Sequence, residues 1–167
     1  MLEFDRSFRT RKARYALQSC LATVCILAVL MILNAIANAA IIVALGASTF
    51  TVFAAPQAKL ARPRYLIGGY VVGLLVGTAF FWLSRALPVP AIPFLPSFPY
   101  LVYGAPAVGA AMFVMVITNT EHPPAASIAL GLVLNEWSYL AVVVALTGIV
   151  VLSLLRWLLR KQLISLI

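Results

Sequence analysis

The chemistry available to this sequence is concentrated around its one histidine. The stretch Thr118-Asn119-Thr120-Glu121-His122-Pro123-Pro124-Ala125-Ala126-Ser127 is the least ordinary part of the chain. Paired prolines fix the backbone and are preorganised to open a helix, so one is expected to start at Pro123 and run through Ala125, Ala126 and Ser127. The first turn of a helix presents unpaired N–H groups and about half a positive charge, a combination that favours an anion. His122 stands just ahead of that turn and could donate to the anion or exchange a proton. The alternative is a neutral imidazole that only caps local backbone. Thr118, Asn119 and Ser127 are further candidate donors, or they merely satisfy an interrupted backbone. An ionised Glu121 would repel an anion, so it is expected to be protonated, turned to water, or paired with Arg62 or Arg64.

A second small polar insert, Gly46-Ala47-Ser48-Thr49, lies near the middle of a short apolar run. Gly46 and Ala47 would allow close backbone approach, while Ser48 and Thr49 add hydroxyls; close helix packing alone would use the same residues. Arg62 and Arg64 could form a basic vestibule for anions, or act only as topology anchors. For catalysis the inventory is poor. There is no metal-ligand cluster, no His-Glu-x-x-His, no phosphate-cradling glycine loop and no acid placed to orient His122 toward Ser127. No enzyme activity, metal or cofactor is expected.

The elements that hold these residues follow from composition. Of 167 residues, 64% are hydrophobic and only 10% charged, and mean hydropathy is +1.08. Too few polar side chains remain to cover a surface in water, so the chain is an integral membrane protein. Its net charge of +8 does not point to nucleic acid, because the basic residues sit in short clusters between long apolar runs. Those runs are continuous rather than alternating, which excludes a β-barrel and predicts an all-α, polytopic helical protein in one transmembrane domain. Cys20 and Cys25 share one predicted helix, too far apart to bridge, and are expected to be buried thiols.

A basic segment, 1–14, leads into a first span over Tyr15–Leu33. Ala37-Asn38-Ala39 resembles a signal cleavage site, but the apolar run exceeds a signal core of about 7–15 residues, so the span is expected to stay. Short Ala39–Ala55, then Tyr65–Leu87 follow, with Lys59, Arg62 and Arg64 between them placing that loop in the cytoplasm. Gly69, Gly73 and Gly77 form a smooth stripe for a neighbouring helix, either within the chain or in a homo-oligomer. Five prolines from Pro88 to Pro99 make a rigid, uncharged external connection. Spans over Tyr100–Thr118 and Tyr139–Leu159 flank a short segment ending near Leu134, and Arg156, Arg160 and Lys161 hold the last end in the cytoplasm. Trp82, Trp137 and Trp157 fall near helix ends, as an interfacial belt requires.

This charge pattern forces the segment 119–134 to carry the chain back outward. Its helical part is only about 16 Å long against a hydrocarbon core of about 30 Å. The crossing then needs non-helical backbone at depth, tolerated only where protein or water satisfies it. About six membrane segments result. A shift of 79 residues maps Gly46-Ala47-Ser48 onto Ala125-Ala126-Ser127 and Gly69 onto Gly148, which suggests two halves, 15–87 and 88–167, inverted relative to each other in a 3+3 repeat. The two inserts would then face each other at the midplane.

At these positions the sequence resembles the HPP family of integral membrane proteins. The match runs through His122-Pro123-Pro124-Ala125-Ala126-Ser127-Ile128-Ala129-Leu130, and earlier through Gly46-Ala47-Ser48, Phe53, Pro56, Arg62-Pro63-Arg64 and Ile67-Gly68-Gly69. The resemblance implies a compact helical domain, usually described as four-spanning, and a plant plastid branch is linked to nitrite transport. Members commonly have Gly where Ala126 stands and His where Tyr70 stands, and Glu121 replaces an apolar residue. The expected function is a transporter or channel for a small monovalent anion, nitrite first, in a bacterial inner membrane with both termini cytoplasmic. The other reading is a non-transporting scaffold or sensor component. The expected partners are the anion and the lipid bilayer, with no nucleic acid.

Overall fold

The computed structural model describes residues 6–33 and 39–166, without the side chains of 6–10, 30, 32 and 33. The cleavage-like Ala37 and Asn38, and the first five residues of the basic lead-in, lie outside the described residues. Among the described residues, six α-helices and one short 3₁₀ turn make up the regular structure: α1 Arg6–Leu33, α2 Ala39–Ala54, the turn Lys59–Ala61, α3 Pro63–Ala86, α4 Phe98–Thr118, α5 Pro123–Leu134 and α6 Tyr139–Leu159. No strand occurs among the described residues, so the all-α expectation holds.

Local sequence explains the helix ends. Pro63 and Pro123 open α3 and α5 with φ already fixed, and the Ser138 hydroxyl accepts the Leu140 N–H at 3.2 Å to cap α6. Asn119 ends α4 in the left-handed region, φ 54°. That conformation lets the Thr120 N–H return to Met115 O at 2.9 Å and the Asn119 N–H to Val116 O at 3.2 Å. Asparagine is among the few residues besides glycine that tolerate this backbone. One departure from helical geometry, at Arg11, kinks α1 where the basic lead-in meets the apolar run.

Among the described residues, four segments are long and apolar enough to cross a bilayer: residues 11–29 of α1, then α3, α4 and α6. Leu17, Val43, Phe50, Leu75, Phe113 and Ile117 are each more than 60% exposed. A girdle of that kind is compatible with lipid and not with water. Cys25 is buried as expected, but Cys20 is exposed on the outer face of α1, and neither is bridged.

The short helices sit inside. α5 packs between α3 and α4 and also touches α2, while α2 packs on α1, α5 and α6. The glycine stripe explains how α5 comes so close to α3. A Cβ on Gly73 would lie 2.3 Å from Ala125 O, and one on Gly77 would lie 2.8 Å from Ala129 Cα. The stripe is therefore consumed within the chain and does not argue for an oligomer. Contacts advance together along both helices, so α5 runs parallel to α3. Gly104 admits Leu130 in the same way from early in α4, which makes α4 antiparallel to both.

The packed helix pairs have a symmetry that no single contact shows. Exchanging α1 with α4, α2 with α5 and α3 with α6 turns the set of packed pairs, α3/α5, α4/α5, α3/α4, α2/α5, α3/α6, α2/α6, α1/α2 and α1/α6, into itself.

The last described residues fold back over the ends of α1 and α2. The Leu166 N–H binds Ala54 O at 2.8 Å. Gln18 donates to Phe53 O and to Ile164 O at 2.7 Å, and accepts the Ile164 N–H at 3.2 Å. Two carbonyls at the end of α2 are thereby satisfied by residues distant in sequence.

Candidate functional site

Three polar side chains from three elements meet where α5 begins. Ser48 of α2 and Tyr70 of α3 are completely buried, and His122, the residue before α5, is 1% exposed. Ser48 Oγ lies 2.8 Å from His122 Nε2, 2.9 Å from Tyr70 OH and 2.8 Å from Ala44 O. Its single proton has three possible acceptors: the Ala44 carbonyl, the imidazole and the Tyr70 oxygen. The Tyr70 and His122 rings are 5.9 Å apart, centroid to centroid. His122 Nδ1 is buried and makes no hydrogen bond. The Leu60 backbone of the adjoining 3₁₀ turn lies near the imidazole.

Glycine at 69 makes this arrangement possible, because a Cβ there would come within 2.5 Å of His122 Cβ and 3.1 Å of Thr120 O. Ser48 lies six residues before the end of α2, and Tyr70 seven after the start of α3. At 1.5 Å per residue the cluster is about 9–10 Å along from the ends of those helices that border the basic turn. The two sequence inserts do meet, through Ser48 and His122, but nearer the basic loop than the midplane.

The amide cradle expected at the start of α5 is largely missing. Pro123 and Pro124 have no N–H, and the Ala125 N–H is already bonded to His122 O at 2.9 Å. Donors that other helix starts hold free are absent or used here, and the imidazole is the principal polar group left. Ala125 is buried against Gly73, whereas Pro123 is exposed and Pro124 and Ala126 are half-buried.

The remaining expected residues do not join the cluster. Gly46 and Ala47 face outward from the middle of α2, which is one continuous helix with no second helix start. The Thr49 hydroxyl donates to Leu45 O at 2.8 Å, and that of Ser127 to Pro124 O at 2.6 Å. Thr118 is satisfied by Val114 O at 2.7 Å and by the Thr120 hydroxyl at 2.8 Å.

Thr118, Asn119 and Glu121 instead contact the basic turn and the start of α3. Tyr65 donates to Asn119 Oδ1 at 3.0 Å, and Arg64 Nη2 donates to Thr118 O at 3.1 Å. Glu121 pairs with Lys59 at 3.5 Å, not with Arg62 or Arg64, and its other oxygen is buried without a partner. Lys59 also lies 4.9 Å from the centre of the Tyr65 ring. Tyr65, and then Glu121, hold the Lys59 ammonium above its ordinary range, so it stays charged at neutral pH. Arg62 and Arg64 are exposed, in keeping with a basic rim.

Tyr70, Lys59 and Tyr65 were not among the expected site residues. Tyr70 had one signal, its position next to Gly69 and in place of a histidine common among relatives. Lys59 and Tyr65 had only their nearness to the basic loop.

Cavities lie at both ends and on one side. One of about 410 Å³ is lined by Arg14, Gln18, Lys161 and Leu163, and one of about 290 Å³ by Arg85, the proline-rich connection and Tyr100. A third, about 330 Å³, opens beside Gly46 and Thr49. None is lined by Ser48, Tyr70 or His122, so the cluster is sealed from all three.

Residues 9–163 match the family described as HPP, transmembrane region. The chain belongs to the HPP transmembrane family. The match covers all six helices apart from the first residues of α1, so the HPP domain here includes both short helices as well as the four long ones. His122-Pro123-Pro124 marks the point where α5 starts inside the helical bundle. No curated protein and no solved structure matches this HPP chain.

Proposed function

We propose that this HPP protein is a transporter or channel for a small monovalent anion, with nitrite the leading substrate. The observation that supports it is the sealed Ser48–Tyr70–His122 cluster, with an imidazole nitrogen buried and unpaired. Buried polar groups inside a membrane protein are costly, and they mark solute or proton pathways more often than packing. The exposed Lys59, Arg62 and Arg64 above the cluster would concentrate anions at its mouth. Transport fits better than catalysis, because the side-chain partner of His122 is the Ser48 hydroxyl, not an orienting acid, and Glu121 is turned to Lys59.

The exchange symmetry of the packed helices supports a 3+3 inverted repeat, with the short α2 and α5 as its paired central elements. In this reading the protein sits in a bacterial inner membrane with both termini and the Lys59–Arg64 loop in the cytoplasm.

The test is flux into proteoliposomes with nitrite, nitrate, formate and chloride. We expect protein-dependent uptake of at least one, nitrite most strongly, reduced at least tenfold by His122→Ala. Uptake no greater than in empty vesicles for all four removes the proposal.

A further inference from the structure

The way α5 begins bears on how a charge could be held there at all. Fixed cations lie outside the cluster. Lys59, Arg62 and Arg64 are exposed at the rim, and Arg156 of α6 is committed to Pro56 O at 2.5 Å. Inside, Ser48 of α2 and Tyr70 of α3 are neutral hydroxyls, α4 and α5 bring no charged side chain, and the adjoining turn brings only Glu121. The two prolines and the bonded Ala125 N–H remove the amides that could otherwise have compensated a negative guest. An anion entering such a place alone would be a buried, unpaired charge, which the low dielectric penalises heavily.

One group can supply the missing positive charge on demand. From this geometry we infer that the anion is carried together with one proton, and that His122 holds the proton. This rests on the anion-transport reading above. The proton adds to whichever ring nitrogen is bare, making an imidazolium that pairs with the anion so that the loaded site is neutral. It leaves with the anion on the far side, and no bond other than N–H forms or breaks.

The hydrogen bonds around the ring fit this role. When Ser48 donates to Nε2 it accepts from Tyr70, and the ring proton sits on Nδ1. When Ser48 turns to Ala44 O, Nε2 carries the proton and donates to Ser48, which leaves Nδ1 bare. Both tautomers keep the Ser48 bond, so a proton can pass across the ring without breaking the cluster. Glu121, with one oxygen buried and unpaired and the other on Lys59, is the titratable neighbour on the cytoplasmic side.

The experiment measures nitrite uptake and internal pH together in proteoliposomes holding the full chain, with voltage clamped by potassium and valinomycin and the leak of protein-free vesicles subtracted. Uptake by the unmodified protein should be accompanied by internal acidification, follow an inward proton gradient, and ignore the clamped voltage. One pH unit should support about a tenfold accumulation. His122→Gln, which keeps a hydrogen-bonding side chain but cannot become cationic, should lose the response to the pH gradient. Nitrite uptake by the unmodified protein that follows voltage and ignores the pH gradient overturns the proton coupling and leaves anion transport standing. No uptake of any anion overturns both.

Discussion

Ser48 is the residue on which the buried cluster turns, since it touches both other members and Ala44 O. Ser48→Ala removes the one partner of His122 Nε2 and leaves it buried and unsatisfied, a loss of about 1–3 kcal/mol. We expect a lower midpoint of thermal unfolding in detergent together with reduced nitrite flux; an unchanged midpoint would mean that the cluster adds nothing to stability. The rim should behave differently. Lys59→Met breaks an exposed ion pair, which salt already screens, so the midpoint should barely move while initial uptake at low ionic strength falls. Equal initial rates for the two proteins would exclude any steering by the rim. The raised Lys59 also fixes the sign of its pH dependence: its small stabilising effect is present through neutral pH and is lost only as alkali titrates the folded-state ammonium. His122 and Ser48 were legible in the sequence, one as a lone ionisable group beside a helix start, the other as a hydroxyl in a small-residue insert. Thr49 and Ser127 looked equally eligible. Sequence shows that a hydroxyl is present but not which face of its helix it occupies, and both of these turned back to carbonyls of their own helices.

At the scale of the helices, two glycines allow a direct comparison. Gly73 sits where a methyl group would meet the Ala125 carbonyl at 2.3 Å, whereas Gly46 has nothing within 4 Å. Gly73→Ala should destabilise by about 1–3 kcal/mol through overpacking, and Gly46→Ala should stabilise by about 0.5–1 kcal/mol through helix propensity. Thermal unfolding of the two variants in one detergent checks both signs. If Gly73→Ala were neutral, the close approach of α3 and α5 described here would be wrong. The stripe itself was readable from its four-residue spacing, but its occupant was not, because small residues serve contacts within and between chains alike. The break before Pro123 was also readable. Gly46 leaves α2 unbroken, since a single glycine costs a helix only about 1 kcal/mol and burial of the α2 apolar face outweighs it. The bare amides expected at α5 failed for a reason already present in the sequence: the prolines that start the helix are the residues without donors.

For the molecule as a whole, an even number of passes is the consequence to test. In a background with Cys20→Ala and Cys25→Ala, Phe94→Cys in the proline-rich connection should react with a membrane-impermeant thiol reagent from outside intact cells. Lys161→Cys should react only after the membrane is opened. Labelling of both from the same side would break the proposed topology. Composition was enough for the membrane class, because 64% hydrophobic residues leave no other solvent, and the continuous apolar runs were enough for the helical fold. The closure of the bundle by residues 162–166 had no signal in the sequence. Backbone groups make most of those contacts, and backbone is the same at every position.

That closure has a bearing on the order of assembly. The carbonyls ending α2 belong to a segment made early, but the N–H of Leu166 and the Ile164 peptide that orients Gln18 follow only after α6 has been made. Until then the end of α2 is left uncovered, and a nascent chain halted before residue 162 should be conspicuously easy for proteases and chaperones to seize.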